Sequence, residues 1–136
     1  MAFYSYLFFS GNCREAFTRY QEIFGGELRL ISMADAPPGE APADPAAADL
    51  IMHASLTNGD DLLMASDDPT GDASGTTGFS VNFSTPDIER AREVFEQLTE
   101  GGEVRAPLEE TFFSPAFGMC VDQFGIPWMV SADPPT

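Results

Sequence analysis

The chain has 136 residues, of which 43% are hydrophobic and 12% aromatic, so it is long enough for one domain with a core and too short for two ordinary ones. Its formal net charge of −16 argues against nucleic acid and anionic membrane surfaces as partners. No apolar run approaches the roughly 20 residues that span a bilayer, the N-terminus lacks a basic leader, and two cysteines are too few for a disulfide framework. A cytoplasmic, single-domain protein over residues 1–136 is therefore the first expectation.

The first predicted elements are an aromatic-rich strand, FYSYLFFS, and an amphipathic helix within NCREAFTRYQEIFGGELR. Asn12 followed three residues later by Glu15 is typical of a capping box, and the Gly25-Gly26 pair suits the end of the helix. An apolar stripe at helical spacing predicts the buried side of this helix; it consists of Ala16, Phe17, Tyr20 and Phe24.

The segment Ala34 to Asp49 consists of Ala, Pro, Gly and acidic residues without a periodic apolar pattern. It is interpreted either as a mobile acidic loop over a pocket or as a disordered insertion. The stretch LIMHASL then predicts a strand, and Asn58-Gly59 predicts a hairpin that leads into the next strand. A Gly, Ser, Thr and Asp stretch from Asp67 to Thr77 connects the two halves of the chain.

The second half repeats this order of elements. The strand GFSVNFS precedes TPDIERAREVFEQLTEGGEVR, in which Thr85-Pro86 places a proline at the first helical position. Three further strands follow, as in the first half. The repeat predicts an α+β fold of two βαβββ modules, module one at about 1–67 and module two at about 77–133.

His53 is the only histidine of the chain and lies on the same strand face as Ser55. A neutral imidazole there could serve as a base or as a hydrogen-bond donor; the alternative is a polar side chain that orients a pocket without chemistry. Glu109, Glu110 and Asp122 are possible partners, although Asp122 is more typical of a turn.

The two cysteines differ in position. Cys13 occupies the first turn of a helix, where the helix dipole can lower the pKa of a thiol, or where a small residue simply packs. Cys120 lies on an apolar strand and is expected in the core.

The words YLFFSGNCREAFTRYQEIFGGEL, IMHASL, MASD and ETFFSPAFGMCVDQFGIPWMVS resemble the PhnB-like (demethylubiquinone methyltransferase-like) branch of the vicinal oxygen chelate superfamily. That superfamily includes glyoxalase I, extradiol dioxygenases and bleomycin resistance proteins. The resemblance implies a half-barrel cavity whose metal-ligand positions fall at Ser5, His53, Gly78 (or Phe79, if the register slips by one) and Met129. Of these only His53 is a firm ligand, so no tightly bound metal and no other cofactor are expected.

The resemblance, together with strand alternation, predicts which residues line the cavity. With Gly78 pointing inward, Ser80 and Asn82 face the cavity, while Phe79, Val81 and Phe83 face the helices. The complete predicted ligand-binding set is Ser5, Leu7, His53, Ser55, Ser80, Asn82 and Met129.

Three functions remain open. The first is a homodimeric small-molecule-binding protein without a tightly bound metal. The second is an enzyme, a lyase, isomerase or dioxygenase, that uses His53 as catalytic base or as one ligand of a weakly held metal. The third is a drug-sequestering resistance protein, for which the acidic charge favours a cationic drug. A methyltransferase is not expected, because the chain has no nucleotide-type binding motif.

Overall fold

The computed structural model describes residues 3–35, 49–68 and 78–133. By contacts the chain divides into two compact units, Met1–Ser74 and Gly75–Thr136. Most of the predicted acidic loop 34–49 lies outside the described residues, as does most of the predicted connection from Asp67 to Thr77. Just before the first gap, Met33–Asp35 forms a short 3-10 turn.

Unit 1 has one helix and a four-stranded sheet. Its elements are β1 (Ser5–Phe9), α1 (Cys13–Phe24), β2 (Glu27–Ser32), β3 (Ile51–Asn58) and β4 (Asp61–Asp67). The strand order is β1-β4-β3-β2, in which β1 runs parallel to β4 and the other pairs are antiparallel.

Unit 2 repeats this arrangement. Its elements are β5 (Val81–Thr85), α2 (Ile88–Thr99), β6 (Glu103–Glu109), β7 (Ala116–Val121) and β8 (Pro127–Ala132). The strand order is β5-β8-β7-β6, again with one parallel pair between the outer strand and its neighbour. The predicted α+β fold of two repeated modules, each a strand, a helix and three strands, is confirmed.

Each helix buries one apolar side. In α1 the aromatic rings of Phe17 and Tyr20 are fully buried, and Phe17 makes an edge-on contact with Phe9 of β1 at 6.1 Å between ring centroids. Ile23 is buried where the sequence pattern predicted Phe24, which is only half-buried. No helix in the described ranges is long and apolar enough to cross a membrane.

The two helices begin differently from the prediction. Asn12 is the N-cap of α1, but its side chain makes no capping hydrogen bond. The carboxylate of Asp67, at the end of β4, accepts hydrogen bonds from the backbone N–H of Gly11 at 2.9 Å, of Cys13 at 3.0 Å and of Ile51 at 2.8 Å. The predicted capping box is therefore wrong, because an acceptor from a distant strand serves the first turn.

In α2 the predicted role of Pro86 is also wrong. The helix begins at Ile88, and Asp87 is the N-cap, whose carboxylate accepts hydrogen bonds from Glu89 N at 3.0 Å and Arg90 N at 3.4 Å. Pro86 precedes the cap. Asp87 takes this place because its side chain satisfies the free N–H groups of the first turn.

The Gly-Gly pairs after the helices are explained by close backbone packing. Gly25 is the C-cap of α1, with φ +75°, and its N–H bonds the carbonyl of Gln21 at 2.8 Å. A Cβ atom on Gly26 would lie 2.5 Å from the carbonyl oxygen of Thr57, and one on Gly102 would overlap the carbonyl of Val121. In both units the second glycine thus permits the chain to pass against the third strand.

Candidate functional site

Each sheet has a side that packs against its own helix and an opposite side, called here the open face. On β1, Leu7 and Phe9 are each 2% exposed, whereas Tyr6 is 39% and Phe8 58% exposed. Since side chains alternate along a strand, Tyr6 and Phe8 belong to the open face, and Ser5 shares the side of Leu7. The structure therefore does not place the predicted residues Ser5 and Leu7 with His53. The prediction took Ser5 from the family pattern, and the observed register differs from it by one residue.

Pairing with the neighbouring strands completes the open face of unit 1. Tyr6 pairs with Met64, which pairs with Ser55 of β3, so these three side chains form one row. The buried row beside it contains Leu7, Ala65 and Ala54. His53 is half-buried and pairs with Ile31, which is 40% exposed. Arg29 pairs with Ser55 and extends the first row, so the open face includes Tyr6, Phe8, Arg29, Ile31, His53, Ser55 and Met64.

The imidazole of His53 lies against the ring of Tyr6. The phenolic oxygen of Tyr6 is 3.4 Å from Nδ1 of His53, and the ring centroids are 5.9 Å apart. The ring of Phe8 contacts that of Tyr6, and the centroids of these two rings are 5.2 Å apart. Within the described residues of unit 1, no carboxylate is in hydrogen-bond contact with His53. The histidine is therefore oriented by a phenol rather than by an acid.

The open face of unit 2 follows the predicted register. Asn82 pairs with Met129, which pairs with Met119; Ser84 pairs with Ser131. Between these rows Val130 is buried on the helix side, and Trp128, on the other side of Met129, is buried likewise. The structure therefore brings Asn82 and Met129 together on the open face. Half-buried Ser80 lies just before β5, outside the strand pairing.

Polar side chains cross this second face in a short chain. Asn82 Nδ2 donates to Ser84 Oγ at 2.9 Å, and Ser84 Oγ is 3.0 Å from Ser131 Oγ. Beside them Phe117 pairs with Ser131, and its ring contacts Phe113 at 5.1 Å between centroids. The face therefore combines a hydroxyl and amide strip with apolar rings and methionines.

Several of these residues were missed by sequence reasoning. In unit 1 they are Tyr6, Phe8, Ile31 and Met64; in unit 2 they are Ser84, Phe117, Met119 and Ser131. Alternation within SYLFF could have identified Tyr6 and Phe8, because only one of the two alternating sets can pack on the helix. The contribution of the central strands depends on long-range pairing, which a single sequence does not specify.

The residues at the family's metal-ligand positions do not fit a tightly held ion. Ser5 and Gly78 are not metal ligands of useful strength, Met129 suits only a soft ion, and His53 alone is too few donors to hold an ion tightly. Across residues 3–35, 49–68 and 78–133, no group of three or more His, Cys, Asp or Glu side chains could hold a metal ion.

Three other titratable residues considered from the sequence, Cys13, Cys120 and Asp122, are buried. Burial, reinforced by the nearby Asp67 carboxylate, raises the pKa of the Cys13 thiol to about 12, which excludes the activated thiolate considered above. Burial, with Asp122 nearby, raises the pKa of Cys120 to about 11. Asp122 accepts hydrogen bonds from Phe124 N, Ile126 N and Trp128 Nε1, so the prediction of a turn carboxylate is confirmed.

Comparisons with known proteins agree with this architecture. The chain is 41% identical to protein PA1353 from Pseudomonas aeruginosa, whose crystal structure superposes with a TM-score of 0.89 and with 98% of each chain covered. It is 33% identical to protein YjdN from Escherichia coli, covering 93% of this chain and 91% of that protein. The PhnB protein from Bacillus cereus shares the fold, with a TM-score of 0.76 at 23% identity over 97% of this chain and 99% of the other.

A family model extends this similarity over nearly the whole chain. The model of the glyoxalase/bleomycin resistance protein/dioxygenase superfamily matches residues 3–130, which include both βαβββ modules and both open faces. The resemblance seen in the sequence words is thereby confirmed. The chain belongs to the glyoxalase/bleomycin resistance protein/dioxygenase superfamily.

Proposed function

We propose that the protein binds a small aromatic or apolar molecule on the open face of unit 1. The observation that carries this proposal is the exposure of Tyr6 (39%), which contacts His53, and of Phe8 (58%), whose ring contacts that of Tyr6. Exposed rings with a polar group among them are the usual composition of a small-molecule site, because the rings supply the area and the polar group sets the orientation. Met64 adds a flexible apolar side chain to the same row.

The charge of the protein favours a neutral or cationic ligand. The formal net charge is −16, and Arg29, which pairs with Ser55 on this face, forms an ion pair with Glu27 at 3.3 Å. An anionic ligand would therefore meet net repulsion, because the charge of Arg29 is already shared with Glu27. This also keeps the drug-sequestering alternative open, since a cationic drug would be attracted.

We propose that binding requires no tightly held metal and no other cofactor. The support is the donor set described above, in which His53 is the one strong ligand at the family positions. Elemental analysis of the protein after loading with Ni²⁺, Zn²⁺, Mn²⁺ and Fe²⁺ and desalting is expected to give well under one ion per chain. About one ion per chain in the wild type, lost in His53→Ala, would contradict this part and favour metal-assisted chemistry.

We also propose a homodimer in the cytoplasm. The dimer is supported by the aromatic cluster Phe112, Phe113 and Phe117, in which Phe112 is fully exposed at 101% and Phe113 is 50% exposed. The cytoplasmic location is supported by Cys13 and Cys120, which are both free thiols. Light scattering should give twice the chain mass, and Phe112→Ser should lower it; a monomeric wild type would contradict the dimer.

The binding proposal is tested with N-phenyl-1-naphthylamine, a neutral aromatic dye whose fluorescence rises on an apolar surface. Saturable binding of the dye is expected. Phe8→Ala should weaken the affinity roughly tenfold, because the dye would no longer cover the exposed phenyl ring of Phe8. Phe79→Ala is the matched control, since it removes an exposed ring from unit 2, and it should leave the affinity within about twofold. Equal losses in both variants, or no saturation, would contradict the proposed site.

A further inference from the structure

The contact between Tyr6 and His53 determines which hydrogen bonds the histidine can offer. Tyr6 Oη lies 3.4 Å from Nδ1 of His53, and the two side chains come from β1 and β3, which are separated by β4 in the sheet. The pairing is therefore a property of the folded sheet and not of local sequence. Among the residues that the structure describes, the other ring nitrogen, Nε2, has no hydrogen-bond partner.

Two arrangements of the proton are possible in this contact. Either the phenol donates its O–H to Nδ1, or Nδ1–H donates to the phenol oxygen. A phenol is a stronger donor than an imidazole N–H, and an imidazole nitrogen is a stronger acceptor than a phenol oxygen. The first arrangement is thus favoured, and it leaves the proton of the neutral ring on Nε2.

We infer that Tyr6 positions His53 as an Nε2–H donor, so that the open face of unit 1 selects aromatic ligands that carry a neutral hydrogen-bond acceptor, such as a ketone or ether oxygen. The ligand class rests on the proposed binding function, whereas the state of the imidazole does not. A neutral acceptor fits because anions meet the net charge of −16. The ring of Tyr6 lies beside the donor, and the ring of Phe8, with its centroid 5.2 Å from that of Tyr6, extends the aromatic contact.

The consequence for chemistry is that the neutral His53 has no free lone pair for proton abstraction. Its Nδ1 lone pair is engaged by Tyr6, and Nε2 carries the proton. A general-base reaction at this face would need the opposite tautomer. Ligand binding and the catalytic alternative therefore require different tautomers of His53, and the tautomer can be measured.

The first test uses the fact that the chain contains a single histidine. Two-bond ¹H–¹⁵N spectra are recorded at alkaline pH, after the imidazole signals have stopped moving with pH. In the wild type Nδ1 is expected to have the shift of an unprotonated nitrogen and Nε2 that of a protonated one. Tyr6→Phe keeps the ring and removes the hydroxyl, and it should raise the share of the Nδ1–H tautomer roughly two- to fivefold.

Tyr4→Phe is the matched control, because Tyr4 is also exposed on the same stretch of chain and has no bond to His53. It should leave the tautomer ratio unchanged. A wild type with Nδ1 protonated, or a ratio insensitive to Tyr6→Phe, would overturn the inference even if ligands bind.

The second test compares 2-acetonaphthone with 2-ethylnaphthalene, which share a ring system and differ in the carbonyl acceptor. The ketone is expected to shift the Nε2 resonance and to lose roughly tenfold in affinity in His53→Ala, whereas the affinity of 2-ethylnaphthalene should not depend on His53. Equal dependence on His53 for both probes would overturn the ligand class. If neither probe binds, the proposed function and the ligand class both fall, and the tautomer result still decides the role of Tyr6.

Discussion

The two units share one backbone plan but carry different chemistry on their open faces. Pairing makes Tyr6 on β1 equivalent to Asn82 on β5, because the first pairs with Met64 and the second with Met129. By the same register Phe8 corresponds to Ser84. The outer strand is therefore aromatic in unit 1 and polar in unit 2.

On the third strand of each module the difference in polarity is reversed. Ser55 pairs with Met64 in unit 1, and Met119 pairs with Met129 in unit 2, so a hydroxyl stands where the repeat has a thioether. Two residues earlier on the same face of this strand, His53 corresponds to Phe117. The comparison shows that the fold fixes which positions face outward, while the side chains at those positions decide polarity. It also explains why unit 1 alone combines exposed rings with a histidine.

The two units also differ in the way the helix begins. Asp67 is 3% exposed and bonds three backbone N–H groups in unit 1; the register places Ala132 at the same position in unit 2. There the cap is the local residue Asp87. The first helix is thus tied to the end of its sheet, and the second is capped by its own preceding residue.

The largest expected effect concerns this difference. Asp67→Ala should lower the free energy of unfolding by about 3 kcal/mol or more, because it leaves buried N–H donors without an acceptor. Asp87→Ala should cost about 1 kcal/mol, the usual loss of an exposed N-cap. Urea unfolding followed by circular dichroism measures both. Equal losses would contradict the role assigned to Asp67.

A second prediction tests what the units have in common. Gly26→Ala and Gly102→Ala should each cost about 2 kcal/mol, because a Cβ at either site would meet the carbonyl oxygen of the neighbouring strand. Gly59→Ala is a control for backbone conformation alone, since it has φ +62° but nothing within 4 Å of its Cβ. If the control cost as much as the two others, close packing would not be the reason for the glycine pairs.

The smallest effect concerns the two buried thiols. Their pKa values in the folded protein are raised above the ordinary 9.0, to about 12 for Cys13 and about 11 for Cys120. Above about pH 9 the unfolded chain therefore loses these protons before the folded chain does, so stability falls as pH rises toward those values. Cys13→Ala and Cys120→Ala should each reduce this alkaline slope, and by similar amounts up to about pH 10.5, because both folded pKa values lie above that pH.

Urea midpoints at about pH 8 and about pH 10.5 would measure the slope for the wild type and both variants. A slope that is the same in all three proteins would show that the thiols do not contribute to it.

Much of the fold could be predicted because the repeat is visible in the sequence. Some features depend only on neighbours in the chain, and the structure has them where they were predicted. They are the two Gly-Gly pairs, the Asn58-Gly59 turn and the apolar stripe of each helix. The register of unit 2 was also predicted, since Val81 and Phe83 alternate with Asn82 on a clearly two-sided strand.

The parts that failed depend on distant contacts. Asp67 lies 54 residues from Cys13 along the chain, so no local pattern indicates that it serves the first turn of α1. On β1 aromatic residues occur on both sides of the strand, and the family position of Ser5 therefore predicted Ser5 and Leu7, rather than Tyr6 and Phe8, on the side opposite the helix. The contact of Tyr6 with His53, 47 residues apart, likewise arises only when β1 and β3 join β4.

The central claim is that a ligand contacts the open face of unit 1. The most direct measurement is the set of intermolecular nuclear Overhauser effects between bound 2-acetonaphthone and ¹³C-labelled methyl and aromatic groups of the protein. Contacts from the probe to the methyl group of Met64 and to the rings of Phe8 and His53 are predicted, with none to Leu7, which is buried on the helix side. Contacts confined to other residues, with none to Phe8 or Met64, would contradict the account.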